Sequence, residues 1–363
     1  MRIGDRHIDE EFPPYVIAEI GVNHDGSVER ALELTDAAAG AGADAVKLQL
    51  FRTDLLMSRA AKLAAYQAAA GETDPVGMLR RLELSADEMA RVVERAHARG
   101  IHAIVTVFSV GLVAEAERLP WDAYKSASPD IINRPLLEAM AATGKPLIVS
   151  TGASTMEEVE RAVGWLAGAK ERLALLQCVS SYPTAPEDAA VGAMADFRRW
   201  FQGPVGYSDH TPDLDTGQLA AAMGADLLEK HLTYDRTAPG PDHAASCDAA
   251  GLARYAQLAR GVRDYVMVHG GGRPLPRAVN PDDPRIGGRH KRVQRCEFDV
   301  REVSRQSLTT RCALNSGHVL ALRDLTIKRP GSGIEPWRVE EIVGRRLARD
   351  VAADMPLTDE DLS

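Results

Sequence analysis

The sequence lacks the features of secreted, disulfide-rich proteins. It has only four cysteines in 363 residues, and no two of them form a C-x-x-C pair. Widely spaced cysteines of this kind predict free thiols in a reducing compartment. The N-terminal stretch MRIGDRHIDEEFPP is polar and acidic, unlike a signal peptide. We therefore expect a cytoplasmic protein.

The sequence also lacks a basic excess and a long apolar run. Its formal net charge is -9, so it has no surplus of lysine and arginine to replace the counterions of a phosphate backbone. This excludes a general nucleic-acid binder, but a locally basic site for a small anion remains possible. No apolar run approaches the roughly 20 residues of a membrane span. We expect neither a nucleic acid nor a membrane as partner.

Short apolar runs that alternate with helical patterns are what the sequence has instead. The first strand-to-helix turn, EIGVNHDG, has no G-x-G-x-x-G pattern, which argues against a doubly wound sheet. Eight runs within one domain match the α/β class and a (β/α)8 TIM barrel. The predicted strands are 15–20, 43–50, 101–108, 121–125, 146–150, 173–178, 204–207 and 225–228.

The remaining segments divide the chain. Ser27 and Ser85 are predicted N-caps, and Glu88 completes a capping box with Ser85. The polar stretch 51–81 reads as a long loop of the functional or mobile kind. We predict a barrel domain over 1–268, a Gly- and Pro-rich linker over 269–303, and a small domain over 304–363.

Two histidines follow consecutive predicted strands. His210 comes after the seventh strand beside Asp209, and His231 after the eighth beside Glu229. Neighbouring parallel strands end at the same mouth of a barrel, so these imidazoles should lie close together. Two neutral imidazoles with oxygen ligands and open positions suit Mn²⁺, Mg²⁺, Fe²⁺ or Co²⁺. A purely structural role for both histidines is the alternative.

Three lysines stand where buried strands usually carry Val or Ile: Lys47, Lys125 and Lys230. An unpaired buried ammonium group is costly. Either Glu19 and Glu229 pair with these lysines, or a bound anion offsets the cost. Because several strand-end hydroxyls add neutral donors, we predict a phosphorylated or carboxylated substrate.

Longer motifs extend this interpretation. AEIGVNHDG, VKLQ, YSDHT, EKHLT and DRTAPGPDHAAS occur in this order, and RQSL, KRPGSGI and GRRLARD follow near the C-terminus. Together they closely resemble the sialic acid synthase family with its C-terminal antifreeze-like (SAF) domain. The resemblance implies a transferase that condenses phosphoenolpyruvate with an N-acylated amino-sugar aldehyde, N-acetylmannosamine-like, to give a nonulosonic acid and phosphate by C–O cleavage.

The resemblance also implies roles for individual residues. Catalytic roles fall to Asp25, Glu229 and Lys125, and a divalent metal, Mn²⁺ or Mg²⁺ and alternatively Co²⁺, to His210 and His231. The residues implied to hold phosphoenolpyruvate are Lys47, Thr106, Lys125, Ser128, Ser150, Ser180 and Ser208. Those implied to contact the sugar are Gln49, Tyr182, Asp242 and Arg329. Arg329 would arrive from a partner subunit, which implies a homodimer with swapped C-terminal domains.

Two other functions stay open at this point. Lys125 or Lys47 could act as the Schiff-base nucleophile of a metal-free aldolase of the same barrel class. The chain could also be a non-catalytic sugar-binding protein in which the tail domain is the active part. The sequence does not separate N-acetylmannosamine, its 6-phosphate and a di-acetylated trideoxy hexose as the sugar.

Overall fold

The computed structural model describes residues 1–270 and 279–363. A hairpin of β1 (Arg2–Ile3) and β2 (Arg6–His7) precedes eight parallel strands that form a closed barrel, in which β10 pairs with both β9 and β3. The barrel strands are β3 (Tyr15–Glu19), β4 (Ala45–Leu50), β5 (His102–Val107), β6 (Ala123–Ser126), β7 (Leu147–Ser150), β8 (Leu173–Cys178), β9 (Val205–Asp209) and β10 (Leu227–His231). The predicted TIM barrel is confirmed.

Helices follow the strands and cover the outside of the barrel. Ser27 accepts a hydrogen bond from the Arg30 amide and caps the first helix, and Ser85 and Glu88 form the predicted capping box of the fifth. The helices up to the end of the barrel are α1 (Val28–Gly40), α2 (Thr53–Leu56), α3 (Ala65–Ala69), α4 (Pro75–Arg81), α5 (Ala86–Ala98), α6 (Val110–Ala116), α7 (Arg134–Ala142), α8 (Met156–Trp165), α9 (Met194–Trp200), α10 (Thr216–Ala222) and α11 (Ala249–Gly270).

Strand alternation sorts the barrel interior into an apolar floor and a polar mouth. Successive strand side chains point to opposite faces, so Ile17 and Glu19 of β3 share the inner face, as do Leu227, Glu229 and His231 of β10. The lower inner positions form one buried apolar cluster. The upper inner positions carry the ionisable and hydroxyl groups, which therefore gather at the carboxyl ends of the strands.

The N-terminal hairpin closes the floor. Ile3 and Ile8, which are 0% and 2% exposed, pack in the same cluster as the lower inner side chains. The Tyr15 hydroxyl bonds to His102 Nδ1 at 2.8 Å across this end of the barrel. The polar N-terminal stretch thus contributes two isoleucines as a plug.

About half of the stretch predicted as a long loop, 51–81, is helical. The helices α2, α3 and α4 lie over one side of the mouth, and Leu56, Met78, Leu79 and Phe108 pack in a small core of their own. The loop prediction was wrong because these helices have four to seven residues, too short for a clear helical period. α9, equally short, was also missed.

The predicted linker, 269–303, lies partly outside the described residues, since 271–278 are not described. Its described remainder packs on the barrel. Lys291 and Glu297 are 6% and 0% exposed, and α12 (Phe298–Ser304) begins at the mouth. This segment therefore forms part of the upper face of the barrel.

The C-terminal domain pairs β11 (Ser307–Thr310) with β12 (Leu325–Lys328) around a small apolar core and adds the one-turn helix α13 (Val339–Ile342). It docks on the barrel of its own chain. Gln306 donates to the Phe108 carbonyl at 3.1 Å and to Asp130 Oδ1 at 2.6 Å. A barrel followed by a small C-terminal domain is as predicted. In the part of the chain that the structure describes, no helix is both long and apolar enough to cross a membrane.

Candidate active site

The two predicted histidines meet at the mouth. Their ring centroids are 5.3 Å apart, and the Tyr182 ring lies 4.1 Å from that of His210. His210 Nδ1 bonds to the Val179 carbonyl at 2.7 Å. Burial opposes protonation of His210, but the neighbouring Cys178 and the Val179 carbonyl raise its pKa. In the neutral ring this bond places the proton on Nδ1 and leaves Nε2 as an electron-pair donor.

His231 faces a carboxylate. Its Nδ1 lies 3.7 Å from Asp242 Oδ2 and has no hydrogen-bond partner among the described residues. Burial, together with the charge of His210, lowers the pKa of His231 well below its ordinary value. Burial raises the pKa of Asp242 to about 6, although the neighbouring His210 opposes the shift. His231 is thus neutral, and Asp242 can exchange a proton near neutral pH.

Lysines and carboxylates form a buried network beside the imidazoles. Lys47 Nζ is ion-paired with Glu19 and lies 3.1 Å from Thr106 Oγ1. Glu229 lies between two ammonium groups, with Oε1 3.4 Å from Lys125 Nζ and Oε2 3.9 Å from Lys47 Nζ. Burial alone would raise the pKa of Glu229, but Lys125 and Lys47 hold it below its ordinary value. Glu229 therefore stays ionised.

Lys230 does not belong to this network. Strand alternation turns it to the outer face of β10, where Nζ lies 3.1 Å from Asp209 Oδ2. The expectation that three lysines face the mouth was wrong, because Lys230 has the opposite parity to Glu229 and His231. Two ammonium groups face the cavity.

Serine hydroxyls line the same cavity. Ser208 Oγ donates to Glu229 Oε1 at 2.8 Å, and Ser128 Oγ accepts from the Gly152 amide at 3.0 Å. The hydroxyls of Ser150 and Ser180 are buried and have no partner among the described residues. Unpaired buried hydroxyls are uncommon. The hydroxyls of Ser150 and Ser180 are therefore candidates to bind a ligand. All the residues predicted to hold phosphoenolpyruvate line one cavity.

The predicted sugar contacts line the same cavity. Gln49, Tyr182, Asp242 and Arg329 all line it. Arg329 Cζ lies 5.6 Å from the centre of the Phe108 ring, and its main-chain amide donates to the Leu56 carbonyl at 2.8 Å. The arginine implied to come from a partner subunit thus reaches the mouth of its own barrel in this structure.

Asp25 is turned away from the cavity. Its carboxylate accepts from Arg30 Nη1 at 2.5 Å and from the Tyr234 hydroxyl at 2.9 Å, and His243 Nε2 lies at 3.0 Å. These three groups hold Asp25 at the rim, about a quarter exposed. Asp242 is the aspartate that lines the cavity, so a catalytic role for Asp25 stays a prediction that would need these contacts to break.

The imidazoles fit a divalent cation in donor type. In the neutral rings, Nε2 of His210 and one ring nitrogen of His231 carry lone pairs. Among residues 1–270 and 279–363, however, no three His, Cys, Asp or Glu side chains are arranged to hold a metal ion. The described residues thus offer two imidazole nitrogens as donors to a cation.

Comparison with known proteins gives the family. The model described as the NeuB family matches residues 34–273, and the SAF domain model matches residues 305–363. The chain belongs to the NeuB family. The family resemblance read from the motifs is thereby confirmed.

Individual NeuB relatives agree with this assignment. N,N'-diacetyllegionaminic acid synthase of Legionella pneumophila is 36% identical over 350 residues, which cover 94% of this chain and 93% of that protein. The crystal structure of SpsE, a spore coat polysaccharide biosynthesis protein of Bacillus subtilis, superposes with a TM-score of 0.85 at 25% identity, covering 100% of this chain and 99% of that one. The N-acetylneuraminic acid synthetase of Leptospira borgpetersenii, solved with citrate, has a TM-score of 0.67 at 32% identity, over 76% of this chain and 93% of that one.

Two side chains at the mouth of this NeuB barrel were not predicted from the sequence. Tyr66 of α3 lines the cavity, with its ring centre 5.0 Å from that of Tyr182. A single tyrosine in the alanine-rich stretch AKLAAYQAAA was the available signal. Glu297 lies directly behind the serine pocket and had no signal, because its segment was read as a linker.

Proposed function

We propose that this protein is a nonulosonic acid synthase. It would condense phosphoenolpyruvate with the open-chain aldehyde of an N-acylated amino sugar, N-acetylmannosamine-like, and release phosphate by C–O cleavage. One observation carries the proposal: a single cavity brings together two buried ammonium groups, two unpartnered buried serine hydroxyls and two adjacent imidazoles. The relative named as a legionaminic acid synthase supports this reaction class.

The serine side of the cavity suits an anionic phosphate ester. Lys125 supplies positive charge without solvent competition, and Ser150 and Ser180 supply hydroxyl donors. Burial lowers the pKa of Lys47 to about 7, and a bound anion would favour its ammonium form. Charge-assisted hydrogen bonds in a water-poor site are stronger than neutral ones. The structure already pairs Lys47 with Glu19 and Lys125 with Glu229. Phosphoenolpyruvate carries both a phosphate and a carboxylate, so it would give each lysine a second anionic partner.

Glu229 would act on the reacting carbon of phosphoenolpyruvate. Positive charge develops at C2 of phosphoenolpyruvate as C3 attacks the aldehyde carbon. An ionised carboxylate in the same cavity stabilises that charge until water adds at C2. The pKa of Glu229 is held low by Lys125 and Lys47, so the carboxylate is present throughout the working pH range.

The imidazoles and Asp242 suit the sugar aldehyde. A divalent cation, Mn²⁺ or Mg²⁺ and alternatively Co²⁺, held by His210 and His231 would polarise the aldehyde oxygen. That oxygen takes up a proton as it becomes a hydroxyl. Asp242, with its pKa raised to about 6, can hold and deliver this proton, while Arg329 and Tyr182 orient the sugar from the opening.

The homodimer is a separate part of the proposal. Family resemblance implies exchanged C-terminal domains, whereas in this structure Arg329 is seated over its own barrel. Either connection would bring the same arginine to a mouth of the same shape. A mixing experiment, given in the Discussion, distinguishes the two.

The test is a phosphate-release assay with phosphoenolpyruvate and Mn²⁺. The sugars are N-acetylmannosamine, its 6-phosphate and di-acetylated trideoxy hexoses. We expect release that depends on one of these sugars and that is abolished in H210A, whose folding is checked by circular dichroism. Absence of release with every sugar would contradict the proposal and favour a sugar-binding protein. A borohydride-trapped adduct of a keto acid on Lys125 or Lys47 would instead indicate a Schiff-base aldolase.

A further inference from the structure

The segment between the two domains reaches the back of the serine pocket. Glu297 begins α12 and is fully buried. Its Oε1 accepts the main-chain N–H groups of Ala153 at 2.6 Å and Ser180 at 2.7 Å, and its Oε2 accepts that of Gln294 at 2.8 Å. One carboxylate thus joins two loops that follow neighbouring strands, β7 and β8.

The Ala153 peptide is held from its other side as well. Arg301 Nη1 and Arg305 Nη2 donate to the Ala153 carbonyl at 2.5 and 3.1 Å. Ala153 has a left-handed backbone with φ of 50°. This conformation is strained for a residue with a Cβ and persists only where the surroundings enforce it. The enforcing contacts come from Glu297 on the N–H side and from the two arginines on the carbonyl side.

Holding Ala153 fixes the serines. The neighbouring Gly152 amide donates to Ser128 Oγ at 3.0 Å, which leaves the Ser128 hydroxyl proton for another acceptor. A Cβ on Gly152 would lie 2.2 Å from Ser180 Oγ and 2.8 Å from Ser128 Oγ. These hydroxyls therefore converge on Gly152, and a small rotation of its peptide would move both.

We propose that Glu297 is a positioning residue that shapes the phosphate end of the pocket, by fixing the Gly152–Ala153 turn and the Ser180 main chain. This inference rests on the proposed function for the identity of the ligand, phosphoenolpyruvate. Electrostatics alone makes the opposite prediction, because a buried carboxylate behind an anion site weakens anion binding. Whether removal of Glu297 weakens or strengthens phosphoenolpyruvate binding therefore distinguishes a positioning role from a purely electrostatic one.

The experiment measures phosphoenolpyruvate binding to the full-length protein by calorimetry, and the KM values for both substrates. E297A leaves two N–H groups without their acceptor, and we expect about tenfold weaker phosphoenolpyruvate binding with KM for the sugar unchanged. E297Q keeps an oxygen for both N–H groups and should stay within about threefold of wild type. If E297A does not fold, E297D keeps the charge but is one methylene short, and should weaken binding as E297A would.

The matched control is D196N. Asp196 Oδ2 accepts the Lys291 amide at 2.7 Å and anchors the same segment without touching the serine loops. It should leave phosphoenolpyruvate affinity unchanged. Unchanged or tighter binding in E297A, or equal weakening in D196N, would overturn the inference. If the wild type binds phosphoenolpyruvate but no sugar gives phosphate release, the proposed reaction fails and the inference survives; a wild type that binds neither phosphoenolpyruvate nor inorganic phosphate refutes both.

Discussion

Replacing Gly152 with alanine tests whether the serine pocket binds the anionic substrate. Gly152 does not have a positive φ, so the backbone tolerates alanine. The added methyl would lie 2.2 Å from Ser180 Oγ, 2.8 Å from Ser128 Oγ and 3.1 Å from Cys178 Sγ. Both serines can relieve the overlap by rotating about χ1. We therefore expect the variant to fold with its hydroxyls turned away from the pocket.

The expected loss follows from two hydrogen bonds. A hydroxyl bond to a charged group contributes at least about 1.5 kcal/mol. Removing two such bonds costs about 3 kcal/mol, so phosphoenolpyruvate affinity should fall about 100-fold. Calorimetric titration of phosphoenolpyruvate measures this loss, and thermal melting followed by circular dichroism measures folding.

A second glycine provides the control. Gly164 in α8 is exposed, and a Cβ there would meet no atom within 4 Å. G164A should bind phosphoenolpyruvate as wild type does and should be more stable by about 0.5–1 kcal/mol, because alanine is favoured over glycine in helices. A folded G152A variant with wild-type affinity would refute the assignment of the serine pocket to the phosphate ester.

Three further predictions concern the domain contact, the subunit arrangement and the metal. Burial raises the pKa of Glu158, but hydrogen bonds from Arg305 and Arg301 hold it well below its ordinary value. Such stabilisation is present above the unfolded pKa of about 4.3 and is lost as pH falls below it. The wild-type melting temperature should therefore drop more steeply than that of E158Q between about pH 5 and about pH 3. Melting temperatures that fall in parallel with pH would contradict this. Co-refolding H210A with R329A should leave phosphate release absent if each chain completes its own site. Recovery of phosphate release to about a quarter of the wild-type rate would show exchanged domains. Mn²⁺ should raise the melting temperature of the wild type but not of H210A, since a ligand stabilises only the state that binds it; an equal rise in both would contradict the imidazole site.

The barrel could be predicted from sequence because its signals are local. Each strand is a short apolar run, and strand alternation fixes which side chains face inward. Glu19, Lys47 and Glu229 share that inner face with His231, so the polar mouth follows from parity once the strands are assigned. The same rule, applied strictly, would have excluded Lys230.

The contacts that Glu297, Arg301 and Arg305 make behind the serine pocket could not be predicted, because they join distant parts of the chain. Glu297 lies 144 residues from Ala153 and 117 from Ser180, and a lone glutamate in a Gly-, Pro- and charge-rich segment resembles any solvated residue. The position of the Asp25 side chain at the rim could not be predicted for a similar reason. Its partners Arg30, Tyr234 and His243 come from two separate parts of the sequence, and only the folded structure shows that they hold the carboxylate at the rim.

The isoleucine plug in the barrel floor has a kinetic consequence. Ile3 and Ile8 close the floor, so in the described part of the chain the cavity opens toward the strand ends. The lysines and serines proposed for phosphoenolpyruvate lie on or next to the strands, whereas two of the proposed sugar contacts, Arg329 and Asp242, lie on segments beyond the strand ends. Under the proposed function, phosphoenolpyruvate must therefore enter before the sugar. A sugar bound first would obstruct the path, so excess sugar should inhibit the enzyme competitively against phosphoenolpyruvate.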